Sequence, residues 1–211
     1  MGGKREKGGA GERTLLVSIL MSAPGPVLTG ISMAMSLSVT QIADFVRRTT
    51  ELFAIILSWW VYRRIHRDPS VDAGRQAALE RLSNRSTAIA MACAGSVMLV
   101  LTCMRITTWQ PGGNVVMGLA IAGLGMVANT AFWLRYRSLA DKTGHAVLRT
   151  QQRLYRAKAF VDLCVVTALL AVAVAPLHPA TKIIDIAGSL VVACYLLWSA
   201  WSLLRQARQD V

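Results

Sequence analysis

The chain is poor in the residues that build soluble chemistry. Only three histidines occur, His66, His145 and His178, each alone in its stretch of sequence and read as a solvated side chain. The four cysteines, Cys93, Cys103, Cys164 and Cys194, stand singly inside apolar runs. With no CxxC or CxxH spacing they exclude a zinc ribbon, and with no compact loops between them they exclude a disulfide framework. They are expected to behave as small buried hydrophobes. No nucleophile and base, no ligand array and no phosphate-binding loop can be assembled, so neither an enzyme nor a resident cofactor is expected. Charge is scarce too: 16% of residues are charged against 54% hydrophobic, and the mean hydropathy is +0.46, which excludes an ordinary soluble domain of 211 residues.

What remains is a membrane pattern. The formal net charge of +12 sits in the gaps between apolar runs, as on one face of a bilayer, so nucleic acid is not an expected partner. Lys4, Arg5, Lys7 and Arg13 before an apolar run imitate a signal peptide, but the run from Leu15 to Val39 is too long for one and lacks a clear cleavage site. Crossing a hydrocarbon core of about 30 Å takes about 20 residues. Six stretches meet or approach this, near 14–34, 38–64, 87–107, 114–136, 157–176 and 182–204. The expected fold is an all-α membrane protein of six transmembrane helices spanning 14–204, with a basic N-terminus at 1–13, a short tail at 205–211 and no C-terminal soluble domain. Ala23-Pro24-Gly25-Pro26 removes backbone donors within the first span and predicts a break there. Ala77 through Leu82 is expected to extend the third helix beyond its span.

Arginine and lysine set the orientation. They crowd the N-terminus, the second loop (Arg63 through Arg85), the fourth loop (Arg135 through Arg156) and the tail, whereas 107–114 and 176–182 carry only Lys182. Six spans with both termini cytoplasmic, in the plasma membrane, satisfy every loop. The same basic loops offer a surface for anionic lipid, or serve topology alone. Trp59, Trp60, Trp109, Trp133, Trp198 and Trp201 fall mostly near span ends, as interfacial anchors or as packing residues. Small residues on the sixth span (Gly188, Ser189, Ala193) and the fourth (Gly118, Gly123, Gly125) permit close helix approach and a homodimer through the spans.

Ionisable residues within spans cost about 2.5–3.5 kcal/mol each on insertion scales, so each needs a reason. They cluster on two helices. Arg47 precedes Glu51 by one helical repeat in the second span, as Lys158 precedes Asp162 in the fifth, so each pair shares one helix face. Glu51 and Asp162 each lie about 20 Å from their own helix ends, in a common layer. Asp44 and Arg48 neighbour the first pair, Asn129 is polar within the fourth span, and Asp185 opens the sixth.

At these residues the sequence resembles the cation diffusion facilitator, or cation efflux, family: six-helix proton-coupled exporters of zinc and related divalent metals that act as homodimers. The resemblance runs from Leu15 to Leu204. It rests on Ala43-Asp44 before a long apolar helix ending in Arg63-Arg64, the Pro69 and Gly74-Arg75 loop, Asn129, and Asp185. It implies a transport site at two pairs of positions, each His or Asp followed four residues later by Asp. These fall on Arg47 and Glu51, and on Lys158 and Asp162. The acids are kept while both partner positions are basic, and a guanidinium or ammonium offers zinc no lone pair. The family's His-rich loop and C-terminal metal-sensing domain have no counterpart.

Three readings follow. The first is a secondary cation transporter in which Glu51 and Asp162 bind a divalent metal as substrate, with Asp44 assisting and Arg47 and Lys158 as tethered counter-ions. The second is a transporter whose bases grip an anionic or zwitterionic solute. The third is a non-transporting scaffold in which the charge pairs staple helices.

Overall fold

Proline decides the first break. In the computed structural model α1 (Gly2–Ser22) gives way at Ala23 to α2 (Pro24–Met35). Pro24 has no N–H to donate to the preceding turn, but as the first residue of α2 it needs none. The last bond of α1 runs from the Ala23 N–H to the Ile19 carbonyl, 2.8 Å. The Thr29 hydroxyl then donates to the Gly25 carbonyl, 2.9 Å, inside the new helix. The first span is therefore interrupted where its prolines predict a break.

Five further helices follow among the described residues: α3 (Val39–Arg67), α4 (Ala73–Thr108), α5 (Val115–Thr143), α6 (Ala146–Val174) and α7 (Pro179–Gln209). The structure describes residues 2–35, 39–68, 71–108, 115–174 and 179–209, with side chains at 9–31, 45–68, 71–107, 119–174 and 180–206. The 36–38 link, Pro69, Trp109, Pro111-Gly112-Gly113, Pro176 and His178 lie outside the described residues, as do the side chains of Asp44 and Gly118.

Helix ends follow local chemistry. Asp72 caps α4, its carboxylate accepting from the Arg75 N–H at 2.8 Å, so the helix begins well before the apolar stretch, as expected. With 36 residues α4 is about 54 Å long, well beyond a hydrocarbon core. Gly144, at φ 70°, closes α5 by donating to the Ala140 carbonyl at 2.8 Å. Only Gly144 and His145 then separate α5 from α6. The long fourth loop expected between 136 and 157 is instead helical hairpin: arginine there is as good a helix former as leucine, and polar residues end an apolar run without ending a helix.

α5 packs along α6, α4 along α7, α3 against α4, and α1 between α3 and α5. Leu15, Ile55, Met91, Tyr136, Leu148, Tyr155 and Leu196 form the core they share. Tyr136 stacks on Tyr155 at 5.3 Å and meets the Ser18 hydroxyl at 2.8 Å, tying α1 to α5. Deeper still, the Gln151 amide donates to the Ser58 hydroxyl at 2.7 Å, which lies 2.8 Å from that of Ser83. These three buried side chains join α6, α3 and α4. Gly95 on α4 lets α7 approach: a Cβ there would stand 2.9 Å from Leu197 and 3.1 Å from Leu196.

The outer surface is apolar. Leu20, Leu124 and Val174 are 71%, 73% and 84% exposed, the arrangement of a protein whose solvent is lipid. Cys103 and Cys194 are exposed on this surface while Cys93 and Cys164 are half-buried, which corrects the expectation of four buried thiols. Lipid satisfies a small apolar side chain as well as a core does. Trp60, Trp198 and Trp201 face outward, whereas Trp59 and Trp133 pack on the core. Gly125 and Ala193, counted among the small residues of a dimer face, are turned inward, Gly125 onto Asp162 and Ala193 into the core.

Among the described residues four stretches are long and apolar enough to cross a membrane: 9–31, 73–107, 146–174 and 180–206. α3 is not one of them because Arg47, Arg48 and Glu51 at one end and Arg63, Arg64 and Arg67 at the other interrupt it.

Candidate functional site

The charged residues of α3 meet α6 inside the bundle. Lys158 Nζ lies 2.9 Å from Glu51 Oε2, and Arg47 Nη1 lies 3.8 Å from Glu51 Oε1. All three side chains are mostly buried, at 15%, 13% and 21% exposure. The pairing differs from the sequence pattern. Lys158 was expected to share a helix face with Asp162, but it reaches across to the other helix. An aliphatic stem of four carbons spans the gap between packed helices, and a carboxylate that is already hydrogen-bonded competes less well for the ammonium than the one across that gap. Here Asp162 is taken by Asn129: the Asn129 amide donates to Asp162 Oδ2 at 2.7 Å. Asp162 makes no ion pair within 4.0 Å among the described residues. Tyr155, one turn before Lys158, places its ring 5.3 Å from the ammonium, a cation–π contact that helps hold the charge away from lipid.

These groups line a cavity of about 540 Å³ walled chiefly by α3, α4, α5 and α6, with Gly25 of α2, the end of α1 and Leu196 of α7 at its margin. Two glycines shape its wall. Gly125 on α5 stands where a Cβ would be 3.3 Å from Asp162 Oδ2, so the carboxylate lies directly on helix backbone. Gly25, at the interruption of the first span, leaves room for Arg48, whose Nη1 would be 3.3 Å from a Cβ there. The broken helix thus gives its glycine to the passage of an arginine from α3. Interrupted helices lining a polar cavity near mid-membrane are a feature of transporter binding sites.

The structure brings Arg47, Arg48, Glu51, Asn129, Lys158 and Asp162 together around one cavity. Asp44 lies on α3 one turn before Arg47 and Arg48, with its side chain outside the described residues. Asp185 does not join them. It pairs instead with Arg105 on α4 at 3.1 Å, near the opposite end of α7 from Arg205, because it sits in the first turns of α7 beside the last turn of α4. Gly125 and Tyr155 are participants in the site that sequence reasoning missed, as it missed Arg105 as the partner of Asp185. An arginine near the end of an apolar run and an aromatic three residues before a lysine were the available signals; for a glycine against a carboxylate there was none.

Apolar outer faces and an interior charged cavity define an integral membrane protein with an all-helical bundle. The chain belongs to the family of the cation efflux transmembrane domain, whose match covers residues 15–210. No curated protein matches the chain at a significant level.

Proposed function

We propose that the protein is a secondary cation transporter in which Lys158 alternates with the transported cation at Glu51. The observation that carries this reading is the 2.9 Å contact between Lys158 Nζ and Glu51 Oε2 on the wall of an interior cavity. A carboxylate in a membrane interior needs a partner in every state of the cycle. An arriving cation, held by Glu51 and the Asp162 oxygen that Asn129 leaves open, displaces the ammonium. When the cation leaves, the ammonium returns. A tethered amine does in this way what a coupling proton does in an antiporter. Arg47, at 3.8 Å from Glu51 Oε1, is the second tethered counter-ion at the same carboxylate. The oxygen-bearing residues Glu51, Asp162 and Asn129 in the cavity lining suit an oxygen-preferring divalent cation such as manganese better than zinc.

The reading includes six spans with cytoplasmic termini, supported by the concentration of arginine and lysine in alternate links, and a homodimer in the plasma membrane through outward-facing small residues such as Gly123 and Gly188, where a Cβ would meet nothing within 4 Å. Anionic lipid headgroups are the expected neighbours of the basic links.

Purified protein reconstituted in liposomes tests the reading by cation flux, with manganese, cobalt and zinc as candidate cations and binding followed by calorimetry. Saturable flux that Glu51→Gln and Asp162→Asn abolish, with both variants folded, is the expected result. A folded wild type that binds and moves none of these cations removes the cation reading. It leaves either an anionic or zwitterionic solute held by the bases, or a Lys158–Glu51 contact that only staples α3 to α6.

A further inference from the structure

Two of the chain's three histidines, 79 residues apart, meet ring to ring away from the charged cavity. His66 lies in the last turn of α3 and His145 in the two-residue link between α5 and α6. Their Nε2 atoms are 3.0 Å apart and the rings stand at 68° with centroids 4.4 Å apart. His66 Nδ1 lies 2.9 Å from the Tyr62 carbonyl oxygen. A carbonyl only accepts, so Nδ1 carries the proton. In the neutral ring the lone pair is then on Nε2, which faces His145.

This is the arrangement of a metal-ligating histidine, whose second nitrogen donates to a backbone carbonyl and so fixes tautomer and ring plane. The Tyr62 ring stacks on His66 at 4.1 Å and holds the plane further, with the His145 ring edge-on to it at 5.6 Å. Two imidazole nitrogens bound to one zinc at about 2.0–2.1 Å in tetrahedral geometry are about 3.3–3.4 Å apart. The observed separation is a few tenths of an ångström less, within the play of two rings on their χ angles. His66 is exposed, so an ion reaches the pair from outside. Arg67, next to His66 in sequence, is engaged at 3.0 Å by Glu12, which also faces Arg63 at 3.8 Å.

We propose that His66 and His145 form a second cation site, a two-imidazole site for a zinc-class divalent ion, with water completing the coordination. It is independent of the function proposed for the cavity, since it shares no residue with it. No third His, Cys, Asp or Glu joins the pair among the described residues, which makes the site weak and readily exchanged rather than structural.

Cobalt(II) added to the purified full chain provides the test, because its ligand-field absorption reports imidazole coordination, and zinc competition and calorimetry give the affinity. Wild type is expected to bind one equivalent with nitrogen coordination, zinc displacing the cobalt. His66→Ala and His145→Ala are expected to lose this signal, and Asp162→Asn to keep it. If His145→Ala fails to fold, the exposed His66→Gln carries the test alone. No nitrogen-coordinated cobalt in folded wild type, or a nitrogen-coordinated signal that survives the loss of His66, overturns the proposal and leaves the pair as one hydrogen bond; oxygen-coordinated binding that survives belongs to the cavity.

Discussion

Lys158 lies 2.9 Å from Glu51 on a different helix, and not beside Asp162 one turn along its own. The contact ties α6 to α3 with charges that neither lipid nor core can solvate. Removing one partner strands the other. Glu51→Gln or Lys158→Met alone is expected to destabilise the protein by about 3–5 kcal/mol. The double variant should recover a large part of that loss, because neither of the two charges is left without the other. Unfolding in detergent measures all four members of the cycle, and strictly additive losses would show that the two residues do not interact.

Gly125 and Asn129 act together on Asp162. A Gly125→Ala methyl meets Asp162 Oδ2 at 3.3 Å and must displace it by a few tenths of an ångström. Asn129→Ala removes the 2.7 Å donor instead. In either variant cation flux should fall more than stability does. Equal flux in Gly125→Ala and wild type would place Asp162 outside the transport path.

Gly95 is tested by packing alone. Gly95→Ala sets a methyl 2.9 Å from Leu197, and α4 and α7 must part to admit it. Overpacking of this kind costs about 1–3 kcal/mol. Gly188→Ala on α7, with open space around the added carbon, is expected to leave the unfolding midpoint of the monomer unchanged.

The buried Gln151, Ser58 and Ser83 chain is expected to respond asymmetrically. Ser58→Ala leaves the Gln151 amide donor without its 2.7 Å acceptor at 0% exposure, a loss of about 1–3 kcal/mol. Ser83→Ala removes only the outer member and should cost less. The reverse order, measured by unfolding, would mean that Gln151 finds another acceptor.

Much of the architecture was legible in the sequence because the bilayer imposes it. Apolar runs of about 20 residues mark the helices whatever they pack against. Pro24 and Pro26 mark the break in the first, since a missing N–H is a local fact. The charged positions Arg47, Glu51, Lys158 and Asp162 stood out because ionisable groups are rare within apolar runs. Less legible were the helix lengths beyond the membrane, where α5 and α6 continue almost to contact through residues that looked like loop.

The sequence by itself determined which residues are costly in a membrane and that they lie in one layer on two helices. Only the tertiary structure decided who pairs with whom. Helical spacing offered Lys158 to Asp162, but neighbours on one helix compete with neighbours across it, and the approach of α3 and α5 to α6 gave Glu51 to Lys158 and Asn129 to Asp162. Likewise no spacing rule links His66 to His145, or Asp185 to Arg105: each pair joins residues from distant parts of the chain that packing alone brings within reach.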